Sequence, residues 1–262
     1  MARMFENAVR AKKYLGQHFL KDENIAKQIT DSISLEETYC LEIGPGMGVL
    51  TKYLLEKQNI KELKLVEIDK ESVTYLKENY PMLEKNILNE DFLKMNLNIF
   101  PSPYTIIGNF PYNISNQILF KVFNNRDTIK QVVGMFQKEV AKRIASKGGE
   151  KNYGILSVLL SAFYDIEYLF EVEKEKFFPP PKVTSAVIKL RRNNVNSLPC
   201  DEDFFIRVVK TAFNQRRKML RQSLKPLQKD LTLIDEETLR KRPEELSLDD
   251  FILITQKLLL QK

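Results

Sequence analysis

The chain has little of what metal chemistry needs. It carries one histidine, His18, and two cysteines, Cys40 and Cys200, far apart and without ligand spacing. A zinc or non-haem iron site is not expected from such a set, and no metal is assigned. Two isolated cysteines offer no disulfide framework and fit a reducing compartment. No apolar run approaches the ~18 residues of a membrane span. The N-terminus lacks the apolar core of a secretory signal. A cytoplasmic protein without a membrane partner is expected. No internal repeat or low-complexity tract is present.

The 262 residues are 43% hydrophobic, enough for one large domain or a large and a small one. Lys and Arg number 41 against 35 acids, a net charge of +6. The excess is modest, so its placement matters more than its size.

Alternating apolar runs and amphipathic stretches predict an α/β fold. Asp22 can cap a helix through Ile25, Ile29 and Ile33. A buried strand over 38–43 then runs into Gly44-Pro45-Gly46-Met47-Gly48, and a helix-like stretch follows. Strand, glycine turn and helix open a nucleotide-binding βαβ unit. Glu42, just before the turn, would repel a pyrophosphate but suits a cationic amino-acid tail. The next strand, 63–69, ends at Glu67, 19 residues after Gly48. A carboxylate there is placed to take two ribose hydroxyls, while Asp69 is the better helix cap. A short strand near Ile87 leads to Asp91, which either caps a helix or accepts from an adenine amine beside Phe92.

The fourth strand, from Tyr104, ends in Gly108-Asn109-Phe110-Pro111-Tyr112. The proline stops the strand and frees its carbonyl from a ladder. A primary amine on an aromatic ring needs two acceptors and a stacking surface. Asn109, the Pro111 carbonyl and the Tyr112 ring can supply them. Ser115 is the expected cap of the next helix. Further strands are expected over 131–136, 164–170 and 183–190, with helices over 138–147 and 153–163 between them. Gly44, Glu67, Asp91 and Asn109 thus close four successive strands, where doubly wound sheets bind ligands.

The two ends of the chain are basic. Residues 1–23 carry Arg3, Arg10, Lys12 and Lys13 against Glu6. They read either as a flexible tail or as a lid over a ligand. Past a linker at 193–200 the chain is helical. Between Arg207 and Lys229 lie eight basic residues and no acid. At helical spacing Arg207, Lys210, Arg217, Lys218, Arg221 and Lys225 share one face. Phe205, Val208, Val209, Ala212, Met219 and Leu220 lie opposite. Arg216 falls on the apolar side, which suggests either a break near Asn214-Gln215 or a snorkelling arginine. Such a face suits a phosphate backbone.

Several segments resemble the small-subunit ribosomal RNA adenine dimethyltransferase family. They are 14–20 (YLGQHFL), 42–46 (EIGPG), 108–115 (GNFPYNIS), 177–183 (FFPPPKV) and 213–218 (FNQRRK). The resemblance runs through nearly the whole chain. It implies a Rossmann-like class I methyltransferase sheet over 24–192, a basic arm over 1–23 and a small C-terminal helical domain over 201–262. It implies S-adenosylmethionine as cofactor, contacted by His18, Leu20, Gly44, Gly46, Glu67, Asp91 and Asn109. The family often has Asn at the position of His18; a backbone contact survives that change. Asn109, Pro111, Tyr112 and Phe177 are the implied catalytic set, with Phe177 facing Tyr112 across the target base. The implied substrate is 16S rRNA in a 30S or pre-30S particle, at two adjacent adenosines near its 3′ end. Nothing in the pattern demands more than a monomer. The rival readings are a 23S rRNA adenine methylase of the resistance type and an assembly factor acting by binding.

Overall fold

The computed structural model describes residues 9–34, 38–101 and 103–260. Arg3 and Glu6 of the basic arm lie outside them. The chain divides into two compact units. The first runs up to Ala141 and includes Glu167–Arg192; the second holds Lys142–Ile166 and the residues from Asn193 onward.

The strands are β1 (Phe19–Leu20), β2 (Thr38–Ile43), β3 (Ile60–Val66), β4 (Ile87–Leu88), β5 (Tyr104–Asn109), β6 (Ile129–Gln137), β7 (Tyr164–Val172), β8 (Phe177–Phe178) and β9 (Ser185–Arg192). Seven of them form one sheet in the order β4-β3-β2-β5-β6-β9-β7. Strands β4 to β6 pair in parallel with β2 at their centre, and β9 is antiparallel to β6. From β2 the chain builds outward first through β3 and β4, then on the other side through β5 and β6. The topological switch therefore falls between β2 and β5, and the crevice outside their carboxyl ends is where such sheets bind ligands. The central strands read as apolar runs because both faces are covered: Cys40, Leu41, Ile106, Ile107, Val132 and Val133 are fully buried.

In the first unit the helices are α1 (Glu23–Asp31), α2 (Thr51–Leu54), α3 (Lys70–Asn79), α4 (Ser115–Asn124) and the start of α5 (Lys138–Ala145). Asp22 caps α1 as expected, accepting from the amides of Asn24 and Ile25. Asp69 caps α3. Ser115 does not cap α4. Ile114 occupies that position, and the Ser115 hydroxyl turns back to donate to the Tyr112 carbonyl at 3.2 Å.

The second unit contains α6 (Ile155–Ser161), α7 (Glu202–Asn214), α8 (Leu220–Ser223), α9 (Glu236–Arg240) and α10 (Leu248–Leu259). Residues 142–166 gather here rather than with the 24–192 domain expected from sequence. Tyr153 meets Phe213 edge-on, and Phe213 stacks on Phe251. The basic face expected along one helix is interrupted. Helix α7 ends at Asn214, and the chain turns before α8 because Leu220 is fully buried and donates its amide to the Lys241 carbonyl. Arg216, at the break, pairs with Glu244 at 3.7 Å. Met219 is 48% exposed, not part of the apolar side.

Asp22 combines a helix cap with an ion pair to Lys176 at 2.5 Å, so it joins α1 to the segment before β8. Asp22→Ala is expected to lower unfolding stability by about 1–2 kcal/mol, read as a shift of the urea midpoint without a change in slope.

Candidate active site at the strand carboxyl ends

The site is built on the glycine turn after β2. Gly46 sits at φ +57°, and a Cβ there would come within 2.8 Å of the Phe19 ring. Only glycine lets the turn lie this close to the N-terminal arm. The Gly46 amide donates to Glu67 Oε2 at 3.1 Å, and the Asp69 amide donates to Glu67 Oε1 at 2.9 Å. Both carboxylate oxygens are thus oriented by backbone, and each keeps a lone pair for a ligand hydroxyl. Glu67 is buried, and burial pushes its pKa up.

Glu42 lies deeper, 1% exposed. Burial pushes its pKa up to about 8, against a hydrogen bond from Thr51 Oγ1 at 2.6 Å that favours the ionised form. It lines a cavity behind the glycine turn with Leu20, Gly44, Gly48 and Asn109.

Asp91 borders the main cleft with Phe92. Its Oδ1 accepts from the Leu93 amide at 2.9 Å, which shapes the turn and leaves Oδ2 toward Lys94 at 3.8 Å. Lys121 steadies this turn: its ammonium donates to the carbonyls of Phe92 and Met95, both at 2.6 Å. Sequence reasoning missed Lys121. A lysine among the buried Ile118, Leu119, Val122 and Phe123 of α4 was the available signal.

Asn109 ends β5, at the switch point. Its Nδ2 donates to the His18 carbonyl at 2.7 Å. The donor end of the amide is committed to the arm, so Oδ1 is the end left for a ligand. His18 acts through its backbone here, the kind of contact that an Asn/His exchange tolerates. Its ring Nδ1 donates to the Pro179 carbonyl, 2.8 Å away, and the ring stacks on Tyr112 with centroids 5.5 Å apart. The Tyr112 hydroxyl is held by Ser185 Oγ at 2.5 Å. The Pro111 carbonyl is not wholly free, since it accepts a turn bond from the Ile114 amide at 3.2 Å; a second lone pair remains.

Phe177 is placed differently from the expectation. It is 1% exposed in the core with Leu20 and Val172, because β8 pairs with β1 and carries it inward. The ring facing Tyr112 is His18.

Residues 15–19 of the arm line the cleft, which is the lid arrangement rather than the loose tail. Lys12 binds Asp69 and, at 3.1 Å, Glu71. Gln17 accepts from the Lys12 amide at 2.8 Å. Burial raises the Asp69 pKa, but the bonds from Lys12, Gln17 and Ser72 outweigh it and hold the carboxyl below its usual value.

In the second unit Arg207, Lys210, Arg217, Lys218 and Lys225 are exposed. Arg221 is partly buried and pairs with Glu236 at 2.7 Å.

The residues fit a nucleoside with a charged tail: a turn without side chains at Gly46, a buried carboxylate with lone pairs to spare, and an apolar wall at Phe92. Strand order and site together define a class I methyltransferase, a class that uses S-adenosylmethionine. The chain belongs to the ribosomal RNA adenine dimethylase family, whose model matches residues 8–257. It is 57% identical to ribosomal RNA small subunit methyltransferase A of Flavobacterium johnsoniae, over 95% of this chain and 96% of that one. The namesake in Cytophaga hutchinsonii is 55% identical over 95% of this chain and 98% of that one. Among solved structures, a dimethyladenosine transferase from Plasmodium falciparum superposes with a TM-score of 0.75 at 27% identity, covering 93% of this chain and 97% of that one. The 23S rRNA methyltransferase ErmE shares the fold, with a TM-score of 0.70 at 24% identity, over 92% of this chain and 99% of that one.

Glu42 makes the ligand-free protein pH-sensitive. Folded, it holds its proton up to about pH 8; unfolded, it releases it near 4.5. The folded state binds more protons between those values, so stability is fully present below the lower one and falls as pH rises through the window. Burial of Glu67 acts in the same direction. Glu42→Gln is expected to flatten that fall by up to about 1.4 kcal/mol per pH unit, measured as Tm against pH by calorimetry.

Proposed function

We propose that this protein dimethylates the exocyclic N6 amines of two adjacent adenosines near the 3′ end of 16S rRNA, acting as a monomer on a 30S or pre-30S particle in the cytoplasm. The observation that carries this reading is the bond from Asn109 Nδ2 to the His18 carbonyl. It leaves Asn109 Oδ1 as the acceptor end of the amide, on a strand end that shares its cleft with Pro111 and Tyr112.

S-adenosylmethionine, when bound, supplies an electrophilic methyl group on sulfur. Gly44, Gly46, Glu67 and Asp91 would hold the cofactor, with His18 and Leu20 contributing from the arm. The target base must leave its stack, since its amine is otherwise out of reach. Tyr112 takes the base by stacking, and Ser185 holds the Tyr112 ring in place. Asn109 Oδ1 and Pro111 O accept the two N–H bonds of the amine. That draws the nitrogen toward tetrahedral geometry and aims its lone pair at the methyl carbon. Bound S-adenosylmethionine would supply the methyl for N6, its C–S bond breaking as the N–C bond forms, and the proton made acidic by methylation would pass to water. No strong base is needed, so positioning supplies much of the rate. Exposed Arg207, Lys210, Arg217, Lys218 and Lys225 bind the RNA backbone. Arg221 contributes once Glu236 releases it.

Asn109→Ala is expected to reduce methyl transfer to unmethylated 30S particles by about 100-fold or more while 30S binding is retained. Near-normal methylation by this variant contradicts the assignment. The double variant Arg217→Ala/Lys218→Ala is expected to weaken 30S binding. It should also reduce the slope of log affinity against log salt by about 0.7–0.9 for each phosphate no longer neutralised, with S-adenosylmethionine binding unchanged by calorimetry.

A further inference from the structure

The glycine turn after β2 is held from behind by a tyrosine that the reaction described above does not use. Helix α3 ends at Asn79, because Pro81 keeps the residue before it out of helical conformation. That residue is Tyr80, at φ −130° and ψ 59°. Its hydroxyl donates to the Gly48 carbonyl at 3.0 Å. Its ring fills the space beside Gly48, where a Cβ would meet it at 2.5 Å. Gly48 itself sits at φ +80°, a conformation that glycine adopts without cost.

Gly48 carries the bonds that close the turn. Its amide donates to the Pro45 carbonyl at 2.8 Å. Its own carbonyl accepts from the Lys52 amide at 3.1 Å as well as from Tyr80, so both lone pairs are used. Burial, with the charge of Glu42 nearby, pushes the Tyr80 pKa up to about 12, and the phenol keeps the proton it donates.

Gly48 and Tyr80 border the cavity behind the turn, about 550 Å³ in volume, together with Glu42. Glu67 and Asp91 border the main cleft, and Gly44 and Asn109 border both spaces. A ligand with its ribose on Glu67 and an ammonium near Glu42 therefore crosses at Gly44 and meets the part of the turn that Tyr80 holds. Other polar side chains of the rear wall are committed elsewhere. Asn79 Nδ2 donates to the Tyr75 carbonyl at 2.8 Å, and Lys52 pairs with Glu23 at 2.8 Å. The adenosine end has supports of its own: the Asp69 amide on Glu67, and the Leu93 amide on Asp91.

We infer that Tyr80 is a positioning residue for the amino-acid tail of the cofactor, holding Gly48 and with it the 45–48 turn in the shape that receives the tail. The inference rests on the S-adenosylmethionine reading above and is independent of which RNA is methylated. Its consequence is selective: ligands with the tail feel the loss of Tyr80, and ligands without it do not.

Calorimetry on the full chain tests this with S-adenosylhomocysteine and 5′-methylthioadenosine, which share the thioadenosine part and differ in the tail. Tyr80→Phe keeps the ring and removes the hydroxyl. It is expected to weaken S-adenosylhomocysteine about fivefold, the worth of one neutral hydrogen bond. The affinity for 5′-methylthioadenosine should stay at the wild-type value, which also shows that the variant is folded. Tyr80→Leu removes the ring face as well and should weaken S-adenosylhomocysteine further with the same selectivity. In methyl transfer by Tyr80→Phe, KM for S-adenosylmethionine should rise with kcat unchanged. Wild-type affinity for S-adenosylhomocysteine in both variants, or equal weakening of the two ligands, overturns the positioning role. Wild-type protein that binds neither ligand overturns the cofactor reading instead.

Discussion

One hydrogen bond ties this molecule together functionally: Asn109 Nδ2 to the carbonyl of His18, at 2.7 Å. A primary amide left to itself offers a donor and an acceptor in either orientation. Committing the donor to a backbone carbonyl selects one orientation and leaves the oxygen as the end that can accept. The bond has two requirements. Asn109 must end a strand at the switch point of the sheet, and the arm must lie across the strand ends. The first is met by the β2–β5 pairing, which also sets the glycine turn beside it. The second is met by anchors on both sides of the arm. Lys12 binds Asp69 toward β3, while β1 pairs with β8 and Lys176 binds Asp22 on the other side. Removing either anchor loosens the carbonyl that orients the amide.

The same switch point gathers two carboxyl groups in a dry place. Glu42 and Glu67 are both almost fully buried, and burial raises the pKa of each. Such groups are costly unless donors compensate them. Here the donors are fixed ones: two backbone amides for Glu67 and the Thr51 hydroxyl for Glu42. Their remaining lone pairs suit a ligand whose hydroxyls and ammonium group complete the set. Ligand binding therefore offsets part of the cost of burying these two carboxyl groups.

Local features of the site were legible in the sequence. The strand over 38–43, the glycine turn, Glu67 and Asn109 announce themselves because β periodicity, tight turns and strand-end polar residues act over a few neighbours. What depended on distant parts of the chain was not legible. The strand order, with its switch between β2 and β5, cannot be read from periodicity. Phe177 looked like a cleft wall, but its pairing with Leu20 across β1 and β8 turns it into the core. The break at Asn214 was signalled by Arg216 falling on the apolar side, but its cause, burial of Leu220 and its bond to Lys241, 21 positions on, was not legible. Ser185 and Lys121 support Tyr112 and the Asp91 turn from elsewhere in the chain.

The central claim is that these strand ends form a site for adenine methyl transfer on small-subunit rRNA. Its most direct test is to incubate the purified protein with labelled S-adenosylmethionine and ribosomal subunits from cells lacking this modification, then map the product by nucleoside mass spectrometry. The expected product is N6,N6-dimethyladenosine at two adjacent positions near the 3′ end of 16S rRNA. Label confined to 23S rRNA, or to a base other than adenine, would contradict it.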